Sequence, residues 1–250
     1  ATSGGEGNAP GTALLGLVLP GDISPIELFK KSYDSVLNNM VSGGAKGVLI
    51  NIPDITAIPL FTTIPPRGLK LTETEANFLN QNLPLPGMQF VSGDNLFVIE
   101  DESAPGGMRQ IKTNEFIILS SEILDSIKCG GWGKTTPIPK EHTLTLDEVT
   151  NVNNATTAFN QVILDAAQKH KLAHVDINSY LKTVISGLKY NGVDYNTEFV
   201  GGGAFSLDGV HLTPRGYALV ANEIIRATNA TYGSTIPPAD VNAYSGLKFP

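Results

Sequence analysis

Residues 24–54 read SPIELFKKSYDSVLNNMVSGGAKGVLINIPD, and a change of period inside this stretch decides the fold class. From Ile26 the apolar residues Phe29, Tyr33, Val36 and Met40 recur every three or four positions, the spacing of one helix face. Ser24 and Glu27 have capping-box spacing, Pro25 falls at the first helical position, and Gly43-Gly44 end the pattern. An amphipathic helix with one face on a core is expected. Directly after it, Val48 to Ile52 form a short apolar run, broken only by Asn51, between Gly47 and Pro53, the pattern of a parallel strand covered on both faces.

The same unit recurs. Thr145 and Glu148 make a second capping box, Val152, Phe159, Val162, Ile163 and Ala166 form an apolar face, and HKLAHVDI supplies a strand over 173–177. Two helix-then-strand units predict helices covering a parallel sheet. A last helix is announced by Thr213 as N-cap and Pro214 at N1, with Tyr217, Val220, Ile224 and Ala227 on one face.

Between 62 and 144 the rhythm changes. Thr72 to Glu75 caps a short helix reaching Leu79. QFVSGDNLFVIED (89–101) and RQIKTNEFIILS (109–120) read as antiparallel strand material, and CGGWGKTTPIP (129–139) as a loop carrying the single Trp. An interruption of this length reads as an inserted subdomain, of the kind that covers a site at the carboxyl edge of a sheet.

A chain of 250 residues suits one α/β domain or two small ones, and its 26 Gly and 16 Pro predict many turns. Its net charge of -7, with no cluster of Lys or Arg, argues against a nucleic-acid partner and against an anionic membrane surface. The single Cys129 excludes an intramolecular disulfide and makes a poor metal site. The longest apolar run, ALLGLVL at 13–19, is far short of the roughly 20 residues a membrane helix needs. The opening ATSGGEGNAPG has no Met and no leader-like pattern, so the chain is expected to be a piece of a longer protein.

Chemistry concentrates in SLDGVHLTPRGYALVANEII, residues 206–225. Asp208 and His211 lie on a glycine-flanked turn, after GGGAF and just before a helix. In acyl transfer a His takes the nucleophile's proton on one ring nitrogen while a carboxylate holds the other N–H. On spacing alone a structural pair or a surface His is the plainer reading. A metal site using Asp208, His211 and a further carboxylate has no His-x-x-His or Cys/His cluster behind it.

The whole string resembles the last signature block of the SGNH, or GDSL-like, hydrolases, through Asp208, Gly209, His211, Leu212, Thr213, Pro214 and Gly216. GAKGVLINIPDITAIPLFTTIP (44–65) looks like that family's fourth core strand and following loop. GWGKTTPIPKEHTLTLDEV (131–149) and YSGLKFP (244–250) look like a bacterial, envelope-exported branch. The resemblance implies that Asp208 and His211 are the acid and base members of a Ser-His-Asp triad, with no cofactor.

The family's nucleophile block and its two oxyanion blocks are not found here. The closest imitation of the first is GDIS, Gly21 to Ser24, where capping already accounts for Ser24. GGEGN at 4–8 has Ala9 where a second acid or amide belongs, and reads as a flexible loop. In the family a segment like ATSGGEGNAPGT follows the second oxyanion block, so the nucleophile is expected on a part of the protein preceding this chain.

Other residues carry competing readings. Asp54 and Thr56 follow the strand VLINI, where α/β sheets place ligands, and read equally as turn residues. Asp176 reads as a cap or loop residue before an orienting group, His170 and His174 as surface or helix-end residues, and His142 carries no pattern. Trp132, Phe61 and Phe97 read as core before they read as the lining of an acyl or sugar pocket.

The expectation is therefore an α/β protein, a three-layer α/β/α fold with a parallel sheet whose first strands lie outside the chain. Residues 1–61 and 145–250 would form the partial hydrolase domain and 62–144 the inserted subdomain. The function expected is carboxylic ester hydrolysis, with this chain supplying His211 and Asp208 and inactive alone. The expected partners are a small ester (acyl or acetylated sugar), the missing N-terminal half, and a second copy pairing through an open sheet edge. Location in an exported bacterial envelope follows from the resemblance only. The rival is a non-catalytic glycan- or protein-binding module in which Asp208 and His211 stabilise a turn.

Overall fold

The computed structural model describes residues 23–247. In chain order the helices and strands are α1 (Ile26–Val41), β1 (Val48–Ile50), the single turn α2 (Pro59–Thr62), β2 (Leu69–Leu71), α3 (Glu73–Asn82), β3 (Gly93–Asn95), β4 (Val98–Glu100), β5 (Met108–Gln110), β6 (Phe116–Ile117), α4 (Ser121–Cys129), β7 (Thr143–Leu144), α5 (Leu146–His170), β8 (Ala173–Val175), α6 (Ile177–Ile185), β9 (Leu188–Tyr190), β10 (Val193–Tyr195) and α7 (Pro214–Tyr232). They form two compact units, one of Leu60–Thr150 and one of Ile23–Pro59 with the chain from Asn151 on.

In the second unit β1 and β8 pair in parallel, Leu49 opposite His174. Successive strand side chains point to opposite faces, and the packing follows that alternation. Leu49 joins Leu37 of α1 and Ile163, Ala166 and Ala167 of α5, while Ala173 and Val175 pack with Ala227 of α7 beside Val48 and Ile224. The parallel pairing expected of the two apolar runs is present. It comprises two strands among the described residues.

The strands are shorter than the apolar runs suggest because their last residues have other partners. Asn51, buried, donates through its side chain to Asp176 (2.7 Å) and accepts the N–H of Asn178 (3.0 Å). Asn160 of α5 binds the N–H and C=O of Ile52 at 2.7 and 2.8 Å.

The capping box expected at Ser24 is not formed. The first helical bond runs from Phe29 N–H to Pro25 C=O (3.0 Å), so Pro25 is the N-cap and has no side-chain acceptor. Ser24 thus lies one residue outside the cap, and an N-cap side chain is what reaches the N2 or N3 amide. The buried face of α1 is also displaced. Phe29, Tyr33, Leu37 and Val41, four apart, face the core, with Phe29 stacked on Phe159 at 4.2 Å between ring centroids. Ile26, Val36 and Met40 are exposed. On α7, Tyr217 is exposed as well, and Ala218 and Leu219 are buried in its place.

The Leu60–Thr150 unit is built on three antiparallel pairs, β2 with β3, β4 with β5 and β6 with β7. Its α3 has the expected capping box, Thr72 and Glu75 each bonding the other's backbone. Phe61 and Phe97 are 2% and 3% exposed, which places them in the core. The buried Glu115 meets Arg109 in a two-pronged pair at 2.6 and 2.8 Å. Burial pushes the Glu115 carboxyl up, and the Arg109 bonds with the Lys112 and Leu146 amides overcome it and hold the group below its ordinary value.

Candidate active site

The Asp208–His211 turn is a short antiparallel hairpin. Phe205 pairs with Leu212, Ser206 N–H donates to His211 C=O (2.8 Å), and Thr213 N–H donates to Ala204 C=O (2.9 Å). Gly209 N–H closes the bend onto Ser206 C=O (3.1 Å), and Gly209 itself has φ +71°, a conformation that only glycine enters without cost.

Thr213 anchors the far end. Its hydroxyl donates to Gly203 C=O (2.8 Å) and accepts the N–H of Gly216 (3.0 Å), so one side chain caps α7 and pins the loop. The cap and Pro214 at N1 are as the sequence predicts.

At the tip, Asp208 Oδ2 meets His211 Nδ1 at 2.6 Å. Asp208 Oδ1 accepts three donors, Ser206 Oγ at 2.7 Å and the N–H groups of Val210 and His211, each at 2.9 Å. The His211 bond first, then the Ser206 hydroxyl, hold the Asp208 carboxyl far below the ordinary carboxylate range. Asp208 therefore stays an anion and acceptor, so Nδ1 carries the proton and Nε2 is left as the basic nitrogen.

The side chains of His211 and Asp208 are 70% and 48% exposed. An ion pair so open to water contributes only about 0–1 kcal/mol to folding. Four hydrogen bonds converge on this carboxylate. Among the described residues, no hydroxyl is bonded to Nε2, and no three His, Cys, Asp or Glu side chains gather as a metal-binding group.

An apolar cleft reaches this tip at Val210. Phe205 and Leu212 line this cleft of about 200 Å³ together with Ile177, Leu181, Val184 and Leu219. Ser206 and His211, the next pair along the hairpin, stand on its opposite face. A roomier cleft of about 630 Å³ in the Leu60–Thr150 unit contains Arg109, Glu115, Asp101, Lys140 and Glu102. Among its charged side chains Arg109 pairs with Asp101 and Glu115, and Lys140 with Glu102.

The other candidates resolve into local roles. Asp54 caps the turn Ile55–Ala57 by accepting the N–H and hydroxyl of Thr56 at 3.0 and 2.7 Å. Asp176 caps α6 through Ser179 N–H (3.0 Å); burial pushes its carboxyl up, but the Ser179 and Asn51 bonds bring it below its ordinary value. His142 lies against Trp132, ring centroids 5.5 Å apart. His170 and His174 each bury an Nε2 without a partner. Ser24 makes no side-chain cap, and Gly4 to Ala9 lie outside the described residues.

Ser206 and the amides of Asn51, Asn160 and Asn178 are roles that sequence reading did not single out. For Ser206 a signal existed, a hydroxyl two residues before an Asp at a turn. The three Asn are far apart in sequence and carried none.

The family model for GDSL-like Lipase/Acylhydrolase matches residues 24–224. That span covers most of the chain, including β1, β8 and the Asp208–His211 hairpin, and the chain belongs to this family of hydrolases. No curated protein and no solved structure matches it.

Proposed function

We propose that the protein is a carboxylic ester hydrolase in which His211 is the general base and acid and Asp208 holds it in the productive tautomer. A serine supplied from outside residues 23–247 attacks the ester carbonyl. His211 Nε2 takes the hydroxyl proton and returns it to the leaving alcohol, and water then releases the acyl group by the same shuttle. Asp208 takes no proton and stabilises the imidazolium that forms. No cofactor is required for this chemistry.

The observation that carries the reading is the 2.6 Å Asp208 Oδ2–His211 Nδ1 contact, with Oδ1 saturated by three donors and the imidazole open to solvent. Under this reading β1 and β8 belong to a larger parallel sheet between two helical layers, and the Leu60–Thr150 unit is the inserted subdomain. Export to a bacterial envelope is part of the same proposal and rests on the family branch alone.

The test is hydrolysis of p-nitrophenyl acetate and butyrate by the 250-residue chain and by a form extended at its N-terminus with the preceding coding sequence. Activity of the extended form alone, abolished by His211→Ala, is expected. Activity of the short chain would place the nucleophile within it. Inactivity of both would favour the binding-module reading, in which the hairpin only presents a turn.

A further inference from the structure

We infer that Ser206 is a positioning residue for the Asp208–His211 pair, its hydroxyl fixing which carboxylate oxygen faces the imidazole. The inference rests on reading that pair as an acid–base device.

Three observations converge on Ser206. Its hydroxyl donates to Asp208 Oδ1 at 2.7 Å, its N–H donates to His211 C=O at 2.8 Å, and its C=O accepts Gly209 N–H at 3.1 Å. The two backbone bonds place Ser206 directly across the hairpin from His211, on the same face. From that position its hydroxyl reaches Oδ1, the oxygen turned away from the imidazole.

The hydroxyl is the one side-chain donor to Oδ1; the other two are backbone N–H groups of the turn itself. Backbone amides at 210 and 211 hold the carboxylate against the bend, but both lie on the His211 side of the turn. The Ser206 hydroxyl approaches from the opposite arm, so the carboxylate is gripped from both strands. That grip stops rotation of the carboxylate plane, which would otherwise tilt Oδ2 off the line to Nδ1. A hydroxyl donor also favours the anion, keeping Asp208 an acceptor towards His211.

The experiment is NMR of the His211 ring nitrogens, which report where the imidazole proton sits, in the 250-residue chain at mildly alkaline pH, in wild type, Ser206→Ala and Ser206→Thr. In Ser206→Ala the Nδ1–H resonance is expected to move upfield and the share of imidazole protonated on Nδ1 to fall, because the carboxylate no longer holds Oδ2 on the line to Nδ1. Ser206→Thr, which keeps the hydroxyl and suits an extended position, is expected to restore both. Unmoved ring-nitrogen resonances in Ser206→Ala, or failure of Ser206→Thr to restore them, would overturn the inference.

In a form that hydrolyses esters, Ser206→Ala is expected to lower kcat about 10-fold with KM unchanged. The ring-nitrogen measurement needs no turnover. Failure of the ester-hydrolysis reading therefore leaves the Ser206 measurement standing, and failure at Ser206 leaves the His211→Ala result standing.

Discussion

Gly216 and the carbonyl of Ala204 approach so closely that a Cβ added at 216 would lie 2.3 Å from that oxygen. The first turn of α7 thus rests directly on the backbone of the hairpin that carries Asp208 and His211. Gly216→Ala must move either the helix or the hairpin, because the obstacle is backbone and not the end of a flexible side chain. A loss of about 1–3 kcal/mol is expected, at the scale of overpacking a tight site, measured by urea unfolding. The His211 resonances should shift in the same variant.

Asp208→Asn separates charge from shape. The amide that replaces one carboxylate oxygen donates instead of accepting, and facing Nδ1 it forces the proton onto Nε2, the wrong tautomer for a base. A fall in kcat of about 10³–10⁴-fold is expected in the active form, with stability changed by less than about 1 kcal/mol since the pair is exposed. Equal kcat for Asp208→Asn and wild type would remove Asp208 from the mechanism. Because His211 and Ser206 hold Asp208 far below the ordinary carboxylate range, loss of activity towards acid does not come from protonating Asp208.

The Leu60–Thr150 unit should lose stability in acid. Asp101, bonded first to Ser103 and then to Arg109, is lowered from 3.8 to about 2, and Glu115 is held below its reference value of 4.5. Depressed folded-state values mean that the stabilisation is complete above the unfolded values and is lost as pH falls through the folded ones. Urea unfolding midpoints should therefore decline from about pH 4.5 towards pH 2. Glu115→Gln leaves Arg109 with Asp101 alone in a largely buried setting, and is expected to cost about 3 kcal/mol at pH 7 and to flatten that decline. A slope unchanged in Glu115→Gln would assign the acid sensitivity elsewhere.

Val200 occupies the left-handed region at φ +69°, a conformation in which a β-branched side chain crowds the backbone at a cost of roughly 1–2 kcal/mol. The segment around it is tightly closed, Asn196 N–H bonding Gly202 C=O and Gly202 N–H bonding Glu198 C=O, each at 2.9 Å. Val200→Gly relieves the crowding, offset in part by a freer unfolded chain. A gain of about 0.5–1 kcal/mol is expected by thermal unfolding. Destabilisation would mean that the Val200 side chain, 38% exposed, makes packing contacts that outweigh its strain.

Patterns with a local cause were legible in the sequence. Thr72 with Glu75, Thr213 with Pro214, and the strand patterns that begin at Val48 and Ala173 all report nearest-neighbour physics, and each marks its element in the structure. Periodicity located α1 but not its buried face. The expected stripe mixes exposed Ile26, Val36 and Met40 with buried-side Phe29 and Tyr33, and packing against Leu49, Phe159 and Ile163 selects the face of Phe29, Tyr33, Leu37 and Val41. Ser24 failed for a different reason, since a proline permits helix entry at its own position or one later and the motif does not say which. The Asp208–His211 contact was readable because three residues of chain suffice to make it. The Asn51–Asp176 and Asn160–Ile52 bonds span more than 100 residues and became visible only once the chain was folded.

The grip of Asn160 on Ile52 also sets a boundary for the sheet. With Asn51 N–H committed to Val175 C=O, the backbone groups of Ile52 point the other way, and the Asn160 amide takes both of them. One side chain imitates a single residue of a neighbouring strand. Any strand added beside β1 finds its ladder closed at Ile52 and can pair only further back, towards Val48. The residues just beyond, Pro53 and Asp54, are thereby freed from sheet geometry and begin the loop that leads away from the strand's carboxyl end.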